Sequence, residues 1–184
     1  MKRLFLLALL LPLLLIAGCG NKDLILTIDL LSYVDQSDLS TDYGPIAPGT
    51  PTTTAELLEV EANLLQGIGD ATTVKSAKLS VGADFVNTTG SATGSFQVFI
   101  SELDSQDPFA GDPVADFPLT LQPSHTTTID EEIAVTAEQL DALLNDEAWF
   151  AVRVTYNTQG SADDLEGTVT LTKLIAILVT ESDL

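Results

Sequence analysis

Basic residues are scarce in this 184-residue chain: seven Lys and Arg stand against 27 Asp and Glu, for a net charge of −20. Nucleic-acid binding driven by phosphate neutralisation needs many more cations than that, and so does docking on anionic lipid through a basic face. There is one cysteine, Cys19, so no disulfide framework exists and no spare thiol is left for catalysis or metal binding. One histidine, His125, lies in the polar stretch Pro123-Ser124-His125-Thr126-Thr127. A zinc site wants three or four His or Cys ligands, and a nucleophile wants a base beside it. Neither set is available, and no Gly-rich phosphate loop occurs. A single Trp leaves little for an aromatic cleft. No apolar run reaches the roughly 20 residues that span a bilayer as a helix.

The longest apolar run, Leu4 to Ile16, follows Lys2 and Arg3 and is interrupted only by Pro12. Its length and charged start fit the hydrophobic region of a secretory signal over residues 1–18. It ends in Ile16-Ala17-Gly18-Cys19, which resembles the lipobox of bacterial lipoproteins. That resemblance implies a diacylglycerol thioether on Cys19, cleavage before it, and acylation of the new amine. Two or three acyl chains anchor stably, since each buried CH₂ contributes roughly 0.8 kcal/mol. In that family an Asp after the Cys tends to mean inner-membrane retention; Gly20 stands there instead, which implies the outer membrane of the cell envelope. Removing the signal leaves five basic and 27 acidic side chains, a net charge of −22.

The rest of the chain is written in period two. In Val74–Val86, Ala77, Leu79, Val81, Ala83 and Phe85 alternate with Lys78, Ser80, Gly82 and Asp84, the pattern of a half-buried antiparallel strand. Leu24, Leu26, Ile28 and Leu30 mark a first strand. Phe96, Val98 and Ile100 mark another, as do Phe117, Leu119 and Leu121, where Pro118 requires an edge. Phe150, Val152, Val154 and Tyr156 face one way, with Trp149, Ala151, Arg153 and Thr155 opposite. Leu174–Val179 is apolar on both faces and suits a central strand. Ile129, Ile133 and Val135 suggest one more. Leu58, Val60, Ala62 and Leu64 alternate, although Leu57, Val60, Leu64, Leu65 and Ile68 also fit a helical stripe. One short helix is expected near 136–145, capped by Thr136 with Gln139 completing the capping box.

These elements predict an all-β fold, an antiparallel β-sandwich of jelly-roll type. The expected organisation is a lipid tether over 19–23 and a single domain over 24–184, with a long Pro-rich loop over 35–54.

Three site hypotheses follow. Asp104, Asp107 and Asp112 lie within nine residues that also hold Pro108 and Gly111. Calcium accepts such loosely arranged oxygen ligands, so this loop is the calcium candidate. Asp163, Asp164 and Glu166, and Asp130-Glu131-Glu132, are weaker clusters of the same kind. Trp149 beside Arg153 on the polar face of its strand is a candidate binding platform for a glycan or a protein. Finally, Glu102-Leu103-Asp104-Ser105-Gln106-Asp107 partly matches the paired carboxylates of jelly-roll glycosidases of the laminarinase type. Glu102 and Asp104 fit in spacing. Asp107 is the wrong residue, one position off, and the aromatic-rich cleft is missing. The reading is therefore a non-enzymatic, lipid-anchored structural or interaction module. Its alternative is a carbohydrate-binding module clamped by calcium and offering Tyr33, Tyr43, Trp149 and Tyr156.

An excess of Asp over Glu, with little Lys, also suits a salt-rich habitat, because salt screens the self-repulsion of so acidic a surface. The melting temperature is expected to rise by several degrees between low salt and molar NaCl in a calorimetric scan; a flat response would refute this.

Overall fold

The computed structural model describes residues 22–62, 72–102, 107–109, 111–136 and 148–182. Among them, nine strands follow in chain order: β1 (Lys22–Asp29), β2 (Ser40–Ile46), β3 (Thr53–Ala62), β4 (Thr72–Thr89), β5 (Ala92–Glu102), β6 (Ala115–Leu121), β7 (His125–Ala134), β8 (Ala148–Asn157) and β9 (Leu165–Ser182). The pairings β2–β9, β3–β8, β4–β7 and β5–β6 are nested. They are the successive rungs of one long antiparallel hairpin. That hairpin is rolled so that β4 also lies against β9 and β5 against β8. The outcome is two sheets, β1/β2–β9–β4–β7 and β3–β8–β5–β6. This is a jelly roll, an all-β antiparallel sandwich.

Alternation sets the core. Leu79, Val81, Ala83 and Phe85 of β4 face Phe96 and Val98 of β5 and Phe150, Val152 and Val154 of β8, all of them buried. Phe85 meets Phe96 edge-on with ring centroids 6.0 Å apart, which joins the sheets at mid-strand. β9 is the central strand of its sheet, and Pro118 sits on β6, an edge strand that needs no further donor there. The ambiguous segment 57–64 is strand through Ala62, with a register irregularity between Glu56 and Leu58 that leaves Leu57 partly buried as well.

Two spans differ from expectation. Ser40–Ile46, inside the stretch 35–54 read as a loop, is β2. It carries few apolar residues because its pairing rests on backbone bonds and on hydroxyl and carboxylate side chains. Ser40 Oγ lies 3.0 Å from Thr170 Oγ1, and Thr168 donates to Asp42 at 2.8 Å. β1 starts at Lys22, inside the span read as tether, because Lys22 and Asp23 pair with Ser182 and Glu181. The expected helix lies outside the described residues apart from Thr136, which is exposed and in no helix or strand.

Two glycines are required by close approach. β9 carries an extra residue, Thr172, between Lys173 and Leu171, which pair with Gly82 and Ala83. A Cβ on Gly82 would meet Thr172 Oγ1 at 2.7 Å. Gly167 pairs with Tyr43 and lies beneath its ring, where a Cβ would collide with the phenol and with the Val86 carbonyl.

Tyr43 (β2) and Tyr156 (β8) stack across the sandwich with centroids 5.2 Å apart. The Tyr43 hydroxyl donates to Asn87 Oδ1 at 3.2 Å, and Asn87 Nδ2 donates to the Gly90 carbonyl at 2.9 Å. The buried Tyr156 hydroxyl has no hydrogen-bond partner among the described residues. Burial pushes the Tyr43 phenol up to about 12. Burial, with Tyr43 beside it, raises Tyr156 as well. An unfolded phenol ionises near pH 10, so the folded state binds more protons above that point. The stability associated with these groups is intact below pH 10 and falls as pH climbs toward 12. Alkaline unfolding followed by circular dichroism should show this loss, and Tyr43→Phe together with Tyr156→Phe should flatten it. At neutral pH, Tyr43→Phe strands the Asn87 carbonyl oxygen and is expected to cost about 1–3 kcal/mol, whereas Tyr156→Phe should be neutral or stabilising.

Candidate functional site

The outer face of the β3–β8–β5–β6 sheet brings together two features that are separate in sequence. β8 presents Trp149, Ala151 and Arg153 outward, and β5 presents Gln97, Phe99 and Ser101. Arg153 pairs in register with Gln97 on one side and Glu56 on the other. Its guanidinium lies over the Phe99 ring at 4.5 Å and near the Phe109 ring at 5.5 Å. Phe109 meets Phe99 edge-on at 5.5 Å. Phe99, Phe109 and Ala151 thus form a small apolar cluster distinct from the main core.

Polar contacts fix the arrangement. Arg153 Nε and Nη2 both donate to Gln97 Oε1, at 3.2 and 3.0 Å. Gln97 Nε2 in turn donates to Asp116 Oδ2 on β6 at 3.0 Å. In the connection after β5, the Phe109 amide donates to Asp107 Oδ1 at 2.9 Å, and Ser101 Oγ donates to the Pro108 carbonyl at 3.2 Å. The described part of the acidic loop is therefore folded back over the sheet, with Phe109 as its plug and Arg153 stacked beside it. Stacking on a ring lets a cation give up water at low cost.

Of the calcium candidates, Asp104 lies outside the described residues. Asp107 spends one carboxylate oxygen on the Phe109 amide, and Asp112 is exposed. Among the described residues no three His, Cys, Asp or Glu side chains converge as a metal-binding group. In the cluster Asp130-Glu131-Glu132, Asp130 and Glu132 are engaged by Lys173 and Lys78. Asp163, Asp164 and Glu166 are exposed in or beside the connection from β8 to β9. Of the glycosidase pair, Asp104 and the side chain of Glu102 lie outside the described residues. His125 is exposed at the start of β7.

The aromatic platform expected of a glycan binder is not where the sequence placed it. Tyr43 and Tyr156 are core residues, because each sits on the inward side of its strand. Trp149 is half-buried, and Phe99 and Phe109 cover one another. Tyr33, 64% exposed, is the only strongly exposed ring among the described residues. Two open clefts lie at the end of the roll opposite the start of β1. One, of about 380 Å³, is lined by Asp42–Pro45, Thr88 and Glu166–Thr168. The other, of about 420 Å³, is lined by Ser91–Thr93, Thr120–Gln122, Asn157, Gln159 and Gly160. Their walls are mostly polar, with the carboxylates of Asp42 and Glu166 in the first and hydroxyls and amides beside Ala92 and Leu121 in the second. Phe109 and Phe99 were not picked out from sequence, although each stands as an apolar residue in an otherwise polar context, Phe109 among Asp, Pro and Gly and Phe99 on the polar side of its strand.

No protein-family model and no curated protein matches the chain. Among solved structures it is similar to that of infectious bursal disease virus, Gx strain, with 10% identity and a TM-score of 0.45, over 88% of this chain and 36% of that one. A second similarity is to the infectious bursal disease virus VP2 subviral particle, with 14% identity and a TM-score of 0.35, over 89% of this chain and 38% of that one. The chain thus spans little more than a third of the length of these structures.

If the Phe109 plug holds the loop, Phe109→Ala should destabilise the domain by about 2–3 kcal/mol in urea unfolding, from lost burial and the lost edge-on ring contact. Arg153→Met, which keeps apolar cover over Phe99, should cost less than about 1 kcal/mol. Equal losses in the two variants would contradict this ordering.

Proposed function

We propose that this protein is a non-enzymatic, lipid-anchored module of the cell envelope, a jelly roll held at the membrane through Cys19 that offers its surface to a protein partner. One observation carries the reading: β1 begins at Lys22, with only Gly20 and Asn21 between it and the lipobox Cys19. About 10 Å of chain therefore separates the acylated residue from a strand hydrogen-bonded along its whole length. On this reading one end of the roll lies at the bilayer. The turns around Gly44–Thr52, Gly90–Ser91, Gln122–Ser124 and Thr158–Asp164, with the two clefts between them, belong to the opposite end. A half-buried cation stacked on phenylalanine on the outer face of β8 supports a binding role. The burial of Tyr43 and Tyr156 favours a protein partner over a glycan, because sugars are gripped by exposed rings.

The anchor is tested by expressing the full chain in a Gram-negative host fed radiolabelled palmitate. The wild type should carry label and partition into the detergent phase of Triton X-114, and Cys19→Ser should lose both properties. Label retained in Cys19→Ser, or no label in either, would refute the proposal.

A further inference from the structure

The outer face of the β1/β2–β9–β4–β7 sheet divides into two zones. In the half away from Cys19, hydroxyls and carboxylates bond to one another: Thr128 to Asp84, Thr168 to Asp42, and Ser40 to Thr170. The half nearer Cys19 is different. There the outward residues of β9 are Ile175, Ile177 and Val179, all only half-buried, and Ile25 of β1, paired with Val179, is 65% exposed. No second layer covers this stripe among the described residues. It is flanked by Lys75, Lys78 and Lys173, three of the five basic residues of the chain after Cys19. Lys75 bonds Asp23 and Glu181, Lys78 bonds Glu132, and Lys173 bonds Asp130. Three ammonium groups stand against these four carboxylates and that of Asp29, which pairs with Ile175, so the zone carries a net −2 on a chain of net charge −22 from Cys19 onward.

Resting on the lipid anchor of the preceding section, we propose that this half-face lies against the phospholipid bilayer. Ile25, Ile175, Ile177 and Val179 would enter the headgroup boundary, and the three lysines would meet lipid phosphates. The chain outside the structure argues for this occupant, since Gly20 and Asn21 are all that separates Cys19 from β1. Charge is eased here too: three of the five basic residues after Cys19 flank this apolar stripe and offset most of its carboxylates. Lysine stems can pack along the isoleucines while their heads reach the phosphates, and shallow apolar burial combined with ammonium–phosphate attraction is how interfacial segments bind. The roll therefore leans on this face, with the clefts at its far end lifted away.

The test uses the full lipidated chain in vesicles of phosphatidylethanolamine and phosphatidylglycerol, with one nitroxide at a cysteine introduced by Ile25→Cys, Ile177→Cys, Thr126→Cys or Glu59→Cys. Mass spectrometry showing a single label per chain establishes that Cys19 is blocked by lipid. At 25 and 177, dissolved oxygen should relax the nitroxide several-fold more than a nickel chelate does. At 126, on the polar half, and at 59, on the other sheet, the chelate should win. Equal accessibility at all four positions on vesicle-bound protein would overturn the proposal while leaving the anchor intact. Shielding from both agents at 25 and 177, with dipolar broadening between chains, would overturn it in favour of a second copy of the chain. A second label at Cys19, or a chain that does not float with vesicles, would refute the anchor and with it this proposal. Circular dichroism of each variant, and the already exposed position 25 beside the central position 177, separate misfolding from a true negative.

Discussion

The pairing of β4 with β9 is the constraint on which the rest of this molecule hangs. Both strands are 18 residues long, and they stay in antiparallel register from Thr72 against Ser182 to Thr89 against Glu166, with three interruptions. Strands this long twist appreciably, and inserted residues such as Thr172 opposite Gly82 increase the twist locally while keeping both faces in phase. The free side of β9 then has room for two shorter strands end to end, with β1 against its second half and β2 against its first. The inward residues of this pair, from Leu79 and Phe85 to Leu174 and Leu178, form half of the core. Shortening either strand would remove the template for three others.

Nested pairing also governs how the chain can fold and what its edges present. β5 and β6 meet across a short connection, whereas β2 and β9 must find each other across more than a hundred residues. Closing such loops is entropically costly, so a roll of this kind folds slowly compared with helical domains. Its edges are protected by ordinary means. Pro118 interrupts donation on β6, and Asp130 and Glu132 line β7, while Glu56 and Glu59 line β3. Charges and proline on edge strands discourage pairing with a second chain. The acidity of the protein thus has a local use as well as a global one.

Much of the architecture was legible: the inward phenylalanines follow from period two, the edge position of Pro118 from its missing donor, and the central place of Leu174–Val179 from a run apolar on both faces. β2 was hidden because only Tyr43 and Ile46 in it are large and apolar, and because Gly44 and Pro45 look like a turn. What recruits it is the open side of β9, a tertiary feature that no local pattern encodes. The candidate site was half legible. Trp149 and Arg153 lie on the outer face that their parity requires, yet nothing near them in sequence indicates that Phe109, well before them in the chain, will cover Phe99 beside them. Tyr43 and Tyr156, offered as rings for the glycan alternative, are both buried, and Tyr156 already stands in phase with Phe150, Val152 and Val154. A tyrosine in phase with an apolar face belongs to the core even when its hydroxyl suggests otherwise.

The antiparallel ladder between β1 and β9 has a mechanical consequence. A pull on the N-terminal end of β1, directed along the strand axis, enters at its first residue, Lys22. The hydrogen bonds from Lys22–Ser182 to Asp29–Ile175 lie across that axis, so they are loaded together in shear and not peeled one at a time. The N-terminal strand thus meets a load along its own axis through one of the geometries in which a β-sheet best resists extension.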